Sequence, residues 1–376
     1  MAQEPLRAER PRRPQQDGGA PDGQKRNTGR GRGPGPAYAA IDLGTNNCRM
    51  LIARKTPGGF RIIDAFSRIV RLGEGLNDSG ALSDAASERV MEALKVCAEK
   101  MDRREVVKAR CIATQACRTA TNGPELMARI KDELKLDFDI ITAEEEARLA
   151  VLGCLDLMDE SFDAALVVDI GGGSTELCWV DLAEWRARGG YASGGRPPVR
   201  TWSSAPVGVV TLSERFPEPD ENRVAWYQGM KAYAADMMKV PKGAKRLRHL
   251  FEEGRAHLVG TSGTITSVAS VHLRLPRYER ARVDGLWMSH AETRAACDRL
   301  SGMDLDGRAG EPSIGRERAE LVLAGCAILE AVMDEWPAER LRVGDRGLRE
   351  GLLLNLMRKP RRRRRKPRRA KKDAAE

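Results

Sequence analysis

Apolar residues along this chain fall into two rhythms. Short runs bounded by Gly, Asn or Asp, at 38–42, 49–53, 60–65, 109–113 and 138–141, predict strands. Between them Val90, Leu94, Cys97 and Met101 recur at helical spacing, which predicts a helix over 83–101, and a second helix is predicted over 125–135. The alternation then restarts with a strand at 165–169, a turn of three glycines at 171–173 and a strand at 175–180. Further on come a strand at 256–259 running into the Gly-Thr-Ser-Gly of 260–263, a helix over 318–335 and a short helix over 348–357. A strand, an Asp, a Gly-containing turn and another strand thus occur twice, with Asp42 and Asp169 separated by 127 residues. One unit repeated once predicts a mixed α/β protein of two similar lobes facing each other across a cleft.

The two ends break the pattern. Residues 1–36 are rich in Pro, Gly, Gln and Arg, and 358–376 contain the basic run 361–366. Neither holds enough large apolar side chains to offset the entropy of ordering, so both are expected to be disordered. The lobes are expected over 37–142 and 143–357, with the last helix free to pack back on the first lobe. Charge divides along the same lines. The 376 residues carry a formal +10, yet 1–36 contribute +4 and 358–376 contribute +10, which leaves 37–357 at −4. A basic nucleic-acid-binding domain is therefore disfavoured. Eight scattered cysteines without a CxxC pair and four histidines without HxxH spacing argue against a zinc site or a disulfide framework. The longest apolar run, 321–329, is nine residues, far below the ~20 of a membrane helix. No apolar segment follows the N-terminus, so the expectation is a cytoplasmic protein in a reducing compartment.

Three segments carry candidate chemistry. In AAIDLGTNNCR (39–49) Gly44 permits close backbone approach, and Thr45, Asn46 and Asn47 place small donors on a tight turn. Convergent N–H groups there would form an anion nest, although the same residues suit an ordinary hairpin. In VVDIGGGSTE (167–176) the turn leads into a strand and lacks GK[ST], which excludes a Walker A loop and a Rossmann fingerprint. Asp169 and Glu176 flank this turn, and two carboxylates beside a phosphate cradle suit Mg²⁺; solvated acids on a bulged hairpin are the alternative. In TAEEEARL (142–149) Thr142 and Glu145 form a capping box, and the helix dipole accounts for Glu144. Glu146 faces elsewhere, as a candidate general base for water attack on phosphorus. Arg49 and Arg118 are candidate phosphate clamps, or surface residues in an arginine-rich chain.

Taken together, DLGTNNCR (42–49), EEEAR (144–148) and DIGGGSTE (169–176) resemble the exopolyphosphatase/guanosine pentaphosphate phosphohydrolase family, within the acetate and sugar kinase/heat-shock-70/actin superfamily. ATQACRTATN (113–122), GTSGT (260–264), VDGLW (283–287), GRERAELVLAGCAIL (315–329) and DRGLREGLL (345–353) resemble further family segments in the family order, so the resemblance spans about 37–357. It implies two ribonuclease-H-like lobes around a central cleft. It also implies a phosphoric anhydride hydrolase that removes the terminal phosphate of inorganic polyphosphate or guanosine pentaphosphate. By position, Glu146 matches the catalytic base, and Asp169 and Glu176 match metal-associated carboxylates. Asp42, Gly44, Thr45, Asn46, Gly171, Gly172, Gly173 and Ser174 fall in the phosphate-contacting turns, with Arg49 and Arg118 at the cleft.

Two departures stand out: many relatives have Ser where Asn47 stands, and longer forms carry a further C-terminal region that holds extended chains and serves in dimerisation. Processivity on long polymers is accordingly left open, as is homodimerisation. Two rivals stay in play. A phosphotransferase of the same fold would use GTSGT against a nucleotide. A polyanion-binding protein without turnover would use the tail, which can also recruit polyphosphate by charge.

Overall fold

The computed structural model describes residues 35–57, 59–193 and 195–358. The tails expected to be disordered therefore lie, apart from residues 35, 36 and 358, outside the described residues.

Five strands form the first sheet: β1 Ala37–Leu43, β2 Asn47–Thr56, β3 Gly59–Ile69, β4 Val106–Ala113 and β5 Phe138–Ile140. Their order is β3-β2-β1-β4-β5, with β1/β2 and β2/β3 antiparallel and β1/β4 and β4/β5 parallel. The second sheet contains β6 Ala164–Ile170, β7 Thr175–Asp181, β8 Val199–Ala205, β9 Ala256–Thr261, β10 Trp287–Ser289 and β11 Arg340–Gly344. Read outward, β8-β7-β6-β9-β11 repeats the first order and the same strand directions, and β10 adds an antiparallel edge to β11. The internal repeat seen in two hairpins thus extends to both whole sheets. The chain has the expected mixed α/β, two-lobed ribonuclease-H-like fold.

β1 and β6 are apolar on both sides because both sides are covered. Ala39 and Ile41 of β1 pack in one core, beneath helix Asp84–Arg103. Val90, Leu94, Cys97 and Met101 of that helix are buried, and the Ser83 hydroxyl caps it by accepting from the Ala86 amide. On the opposite side Ala40 packs with Leu51, Ile112, Leu149, Leu352 and Leu353. In the second lobe Leu166 and Val168 of β6 face a large core filled by helix Val322–Glu335, while Ala165 and Val167 face a smaller one with Trp185. Among the described residues no helix is long and apolar enough to cross a membrane.

Two helices tie the C-terminal part of the chain to the first sheet. Ala143–Gly153 crosses Leu348–Met357, and both supply apolar residues to the cluster around Ala40. The crossing is built on glycines. A Cβ on Gly351 would lie 2.1 Å from the Leu149 carbonyl oxygen, and one on Gly153 would lie 1.8 Å from that of Gly347. Backbone cannot yield as a flexible side chain does, so a methyl here must push the helices apart. Gly351→Ala is expected to lower stability by about 2–3 kcal/mol net, the better helix propensity of Ala offsetting only part of the strain. Urea unfolding followed by circular dichroism checks this.

Candidate active site

Each repeated hairpin ends in a turn at the same edge of its sheet. In the first, the Gly44 amide donates to the Asn47 carbonyl at 2.9 Å. The outward carbonyls are also taken: Asn46 accepts from Val70 at 2.8 Å and Thr45 accepts from Gly73 at 2.9 Å. In the second, the Gly171 amide donates to the Ser174 carbonyl at 2.9 Å, while the Gly171 and Gly172 carbonyls accept from Val209 at 3.0 Å and Val210 at 2.8 Å. The amides of Thr45, Asn46, Gly172, Gly173 and Ser174 donate to no acceptor among the described residues. Two turns with their carbonyls tied outward and their N–H groups unclaimed form an anion-binding concavity.

The turns touch. A Cβ on Gly172 would stand 3.0 Å from Thr45 Cβ, and one on Gly173 would stand 2.8 Å from Thr45 Oγ1 and 2.9 Å from Gln115 Cγ. None of Gly171, Gly172 and Gly173 has a positive φ. Gly172 and Gly173 therefore serve close approach between lobes and Gly171 the tightness of its own turn, where a Cβ would stand 2.8 Å from the Ser174 carbonyl oxygen; none serves an unusual backbone angle.

Four carboxylates enter the same space. Asp42 and Asp169 occupy equivalent positions near the ends of β1 and β6, and Glu176 is the cross-strand partner of Asp169. The Ser204 hydroxyl donates to Glu176 Oε1 at 2.8 Å. Glu146 arrives on the first turn of helix Ala143–Gly153, capped by Thr142, whose hydroxyl accepts from the Glu145 amide. Its neighbours are committed elsewhere, Glu144 to Arg148 at 2.8 Å and Glu145 to Arg110 at 2.6 Å. Glu146 alone turns inward, and it is 7% exposed. Both terminal nitrogens of Arg118 donate to its Oε2 at 3.2 Å, and Arg118 also donates to Gln115 Oε1 and the Ile141 carbonyl, each at 2.7 Å.

Burial and mutual repulsion make the charged forms costly. Burial, then the charge of Glu176, lifts Glu146 well above the ordinary carboxylate range against the pull of Arg118. Asp169 is pushed up to about 7, first by burial and then by Glu176 and Asp42. Burial also raises Asp42, against Arg49 and Arg349, and raises Glu176, against the hydroxyls of Ser174 and Ser204. Asp42 Oδ1 is buried without a hydrogen-bond partner.

These residues line a cavity of about 320 Å³, within the size range of small-molecule sites. It gathers Asp42, Gly44, Thr45, Asn46, Arg49, Glu146, Asp169, Gly171, Gly172, Gly173, Ser174 and Glu176. Arg118 does not line it; this arginine stands behind Glu146 and holds it. Arg318, Arg349 and Tyr278, not singled out by the sequence, also line the wall, as does Ser262 of the Gly-Thr-Ser-Gly segment. Arg49, Arg318 and Arg349 have no side-chain ion pair or hydrogen bond among the described residues. Burial and then the like charge of Arg349 make protonated Arg49 less favourable. Ser262 precedes helix Gly263–His272 with φ 88° and ψ −176°, a region in which only glycine is unstrained. Its hydroxyl donates to the Ile170 carbonyl at 2.5 Å.

Two ribonuclease-H-like lobes meeting over a carboxylate-lined cleft define a member of the actin-like ATPase fold class. Within it, residues 51–360 match the Ppx/GppA phosphatase family, and the chain belongs to that family. It is 27% identical to the Aquifex aeolicus Ppx/GppA family member, with a TM-score of 0.66 over 85% of this chain and 97% of that one. An exopolyphosphatase-like protein is 25% identical, with a TM-score of 0.71 and the same coverage of both chains. The fold is also that of an exopolyphosphatase from Cytophaga hutchinsonii, at 22% identity, a TM-score of 0.72 and coverage of 85% and 97%.

The elevated Asp169 carboxyl sets a testable pH dependence. From about pH 4 to about pH 7 the unfolded chain has released this proton while the folded chain keeps it. The group therefore destabilises the fold increasingly as pH rises through that window, by up to roughly 4 kcal/mol, and no further above it. In the absence of divalent cations, Asp169→Asn is expected to gain stability over wild type as pH rises from about 4 to about 7, with a constant difference above. Thermal unfolding of both proteins across that range checks this.

Proposed function

We propose that this phosphatase hydrolyses the terminal phosphoanhydride bond of inorganic polyphosphate, with guanosine pentaphosphate as the second candidate substrate. The observation that carries the reading is the set of unclaimed turn amides facing the one inward carboxylate of the helix start, Glu146. The amides of Thr45, Asn46, Gly172, Gly173 and Ser174 would hold terminal phosphoryl oxygens, and their fixed dipoles need no reorganisation as charge shifts in the transition state. Arg49, Arg318 and Arg349 would receive the phosphates that follow, since guanidinium matches phosphate oxygens bidentately.

Glu146 Oε2 is held by Arg118, which leaves Oε1 without a protein partner to orient a water and take its proton. The water oxygen bonds to phosphorus, the anhydride P–O bond breaks, and the shortened chain leaves with the bond's electron pair. A raised pKa makes Glu146 a stronger base than an ordinary carboxylate once ionised, and Arg118 favours that ionised form. Arg118 is thus read as a positioning residue for the base.

Mg²⁺ belongs to the same reading. Among the described residues no three His, Cys, Asp or Glu side chains converge as a ready cage, but Mg²⁺ commonly takes one or two carboxylates and fills its shell with phosphate and water. The unpartnered Asp42 oxygen and the mutually repelling carboxylates fit such a cation. Asp169 and Glu176 would hold it, and it would neutralise phosphate charge. The eight cysteines, all buried and unbridged, accord with a reducing, cytoplasmic setting.

Phosphate release would be measured with Mg²⁺ and no nucleotide, on long polyphosphate, short polyphosphate and guanosine pentaphosphate in parallel. Glu146→Gln is expected to lower turnover by about 10²- to 10⁴-fold, and Arg49→Ala to raise KM most for the longer chains. A folded Glu146→Gln enzyme with wild-type turnover would sink the assignment. Tight polyphosphate binding without release from any substrate would favour a binding protein. Phosphate transfer that needs ADP would favour a phosphotransferase, using the Ser262–Thr264 segment of the same wall.

A further inference from the structure

The carbonyl sides of the two turns are held by segments that lead to one exposed side chain. Loop 70–75 of the first lobe holds the first turn: the Val70 and Arg71 amides donate to Asn46 at 2.8 and 3.1 Å, and Gly73 donates to Thr45 at 2.9 Å. A Cβ on Gly73 would lie 2.2 Å from Thr45 Cγ2, so loop and turn are packed as one body. In the second lobe, helix Val209–Arg215 holds the other turn through the Val209 and Val210 amides. Gly208, just before that helix, lies so close that a Cβ would come within 2.4 Å of the Gly172 carbonyl carbon.

Glu214 joins these two supports. It stands on helix Val209–Arg215, and its Oε1 accepts from the Gly75 amide at 3.0 Å while its Oε2 accepts from Asn77 Nδ2 at 3.2 Å. A closed ring results, running from the Thr45 and Asn46 carbonyls through loop 70–75 to Glu214, then through Val209 and Val210 to the Gly171 and Gly172 carbonyls. The unclaimed amides lie on the other side of the turns, toward the cavity, which neither loop 70–75 nor Glu214 lines. Arg71 and Glu320 make a second crossing at 3.3 Å, but both are about half exposed, at 44% and 52%. Glu214 is exposed too, but it makes two bonds, one of them to backbone, where this pair makes one between two long side chains and holds geometry weakly.

We infer that Glu214 is a positioning residue that fixes the distance between the two anion-binding turns. The inference rests on the phosphoryl-binding reading of those turns. A nest divided between two lobes binds one phosphoryl group well only if the halves keep their separation, and preorganisation of this kind is where electrostatic catalysis gains its effect. Glu214 touches neither substrate nor reacting atoms, so it would act through backbone register alone.

Glu214→Ala removes both crossing bonds. Glu214→Gln can keep them, its Oε1 accepting from Gly75 and its amide pairing with a reoriented Asn77 side chain. Two readouts are needed: phosphate release with Mg²⁺, and hydrogen–deuterium exchange at the amides of 70–73 and 209–210. Glu214→Ala is expected to lower kcat roughly tenfold and to speed exchange at those amides, with an unchanged melting temperature. Glu214→Gln should restore both, and Asn77→Ala should add little to Glu214→Ala. Unchanged exchange and turnover in Glu214→Ala would overturn the inference, as would a Glu214→Gln enzyme as impaired as the alanine variant. Faster exchange in Glu214→Ala, with no phosphate release by wild type on any substrate, would leave the latch standing and remove the substrate reading.

Discussion

The cleft depends on one contact, the face-to-face approach of two hairpin turns from different lobes. A Cβ on Gly173 would stand 2.8 Å from Thr45 Oγ1, and one on Gly172 3.0 Å from Thr45 Cβ and 3.1 Å from the Asn46 amide nitrogen, so a β-carbon at either would make the facing turn give way. A peptide group has a donor and an acceptor side, and both turns spend their acceptors on structures behind them, loop 70–75 and helix Val209–Arg215. What remains toward the cavity is donor. Such an arrangement attracts anions without any net charge of its own. It can coexist with a lobed body whose residues 37–357 carry a formal −4.

The carboxylates require the opposite explanation. Burial raises all four of Asp42, Glu146, Asp169 and Glu176, and Glu176 and Asp42 raise Glu146 and Asp169 further, a cost that neutral side chains would not carry. Retaining such a cluster makes sense when something cationic shares the space, or when one member must act as a base. Arg118 separates the two cases locally. It stabilises the ionised form of Glu146 but does not line the cavity, so on the proposed function its charge would steady the base without competing for the anion.

Much of this was legible in the sequence. Apolar runs of strand length bounded by Gly and Asn gave both hairpins, and their equal spacing from Asp42 and Asp169 gave the repeat. Glu146 emerged by elimination, because capping and the helix dipole already explained its two neighbours. Other features were hidden for physical reasons. Helix Gly263–His272 has little polar face, and its Thr264, Thr266, Ser267 and Ser270 are buried, so no amphipathic stripe marks it. The helix expected over 318–335 is broken, with Arg316–Ala319 separate from Val322–Glu335, which turns Arg318 toward the cleft. Arg349 sits in a helix from the far end of the chain, and nothing in a chain with 64 basic residues sets these arginines apart locally. The triple glycine marks a turn in the sequence; that Gly172 and Gly173 lie against the other lobe only tertiary structure shows.

The repeat also shows how one backbone was put to two uses. Asp42 pairs across its hairpin with Arg49, and Asp169 pairs across its own with Glu176, at the same register offset from each turn. The scaffold, the length of the turn with its first glycine, and the aspartate are shared; the facing residue changes sign. Cation beside carboxylate in the first lobe leaves a site close to neutral, where an arginine can turn toward an anion. Carboxylate beside carboxylate in the second leaves a doubly acidic pair that burial makes unstable and a divalent cation would relieve. On the proposed function, a phosphate chain and its counter-ion would use these two environments side by side. Two copies of one hairpin scaffold, with Arg49 facing the aspartate in one and Glu176 in the other, and brought together by glycine, would supply both.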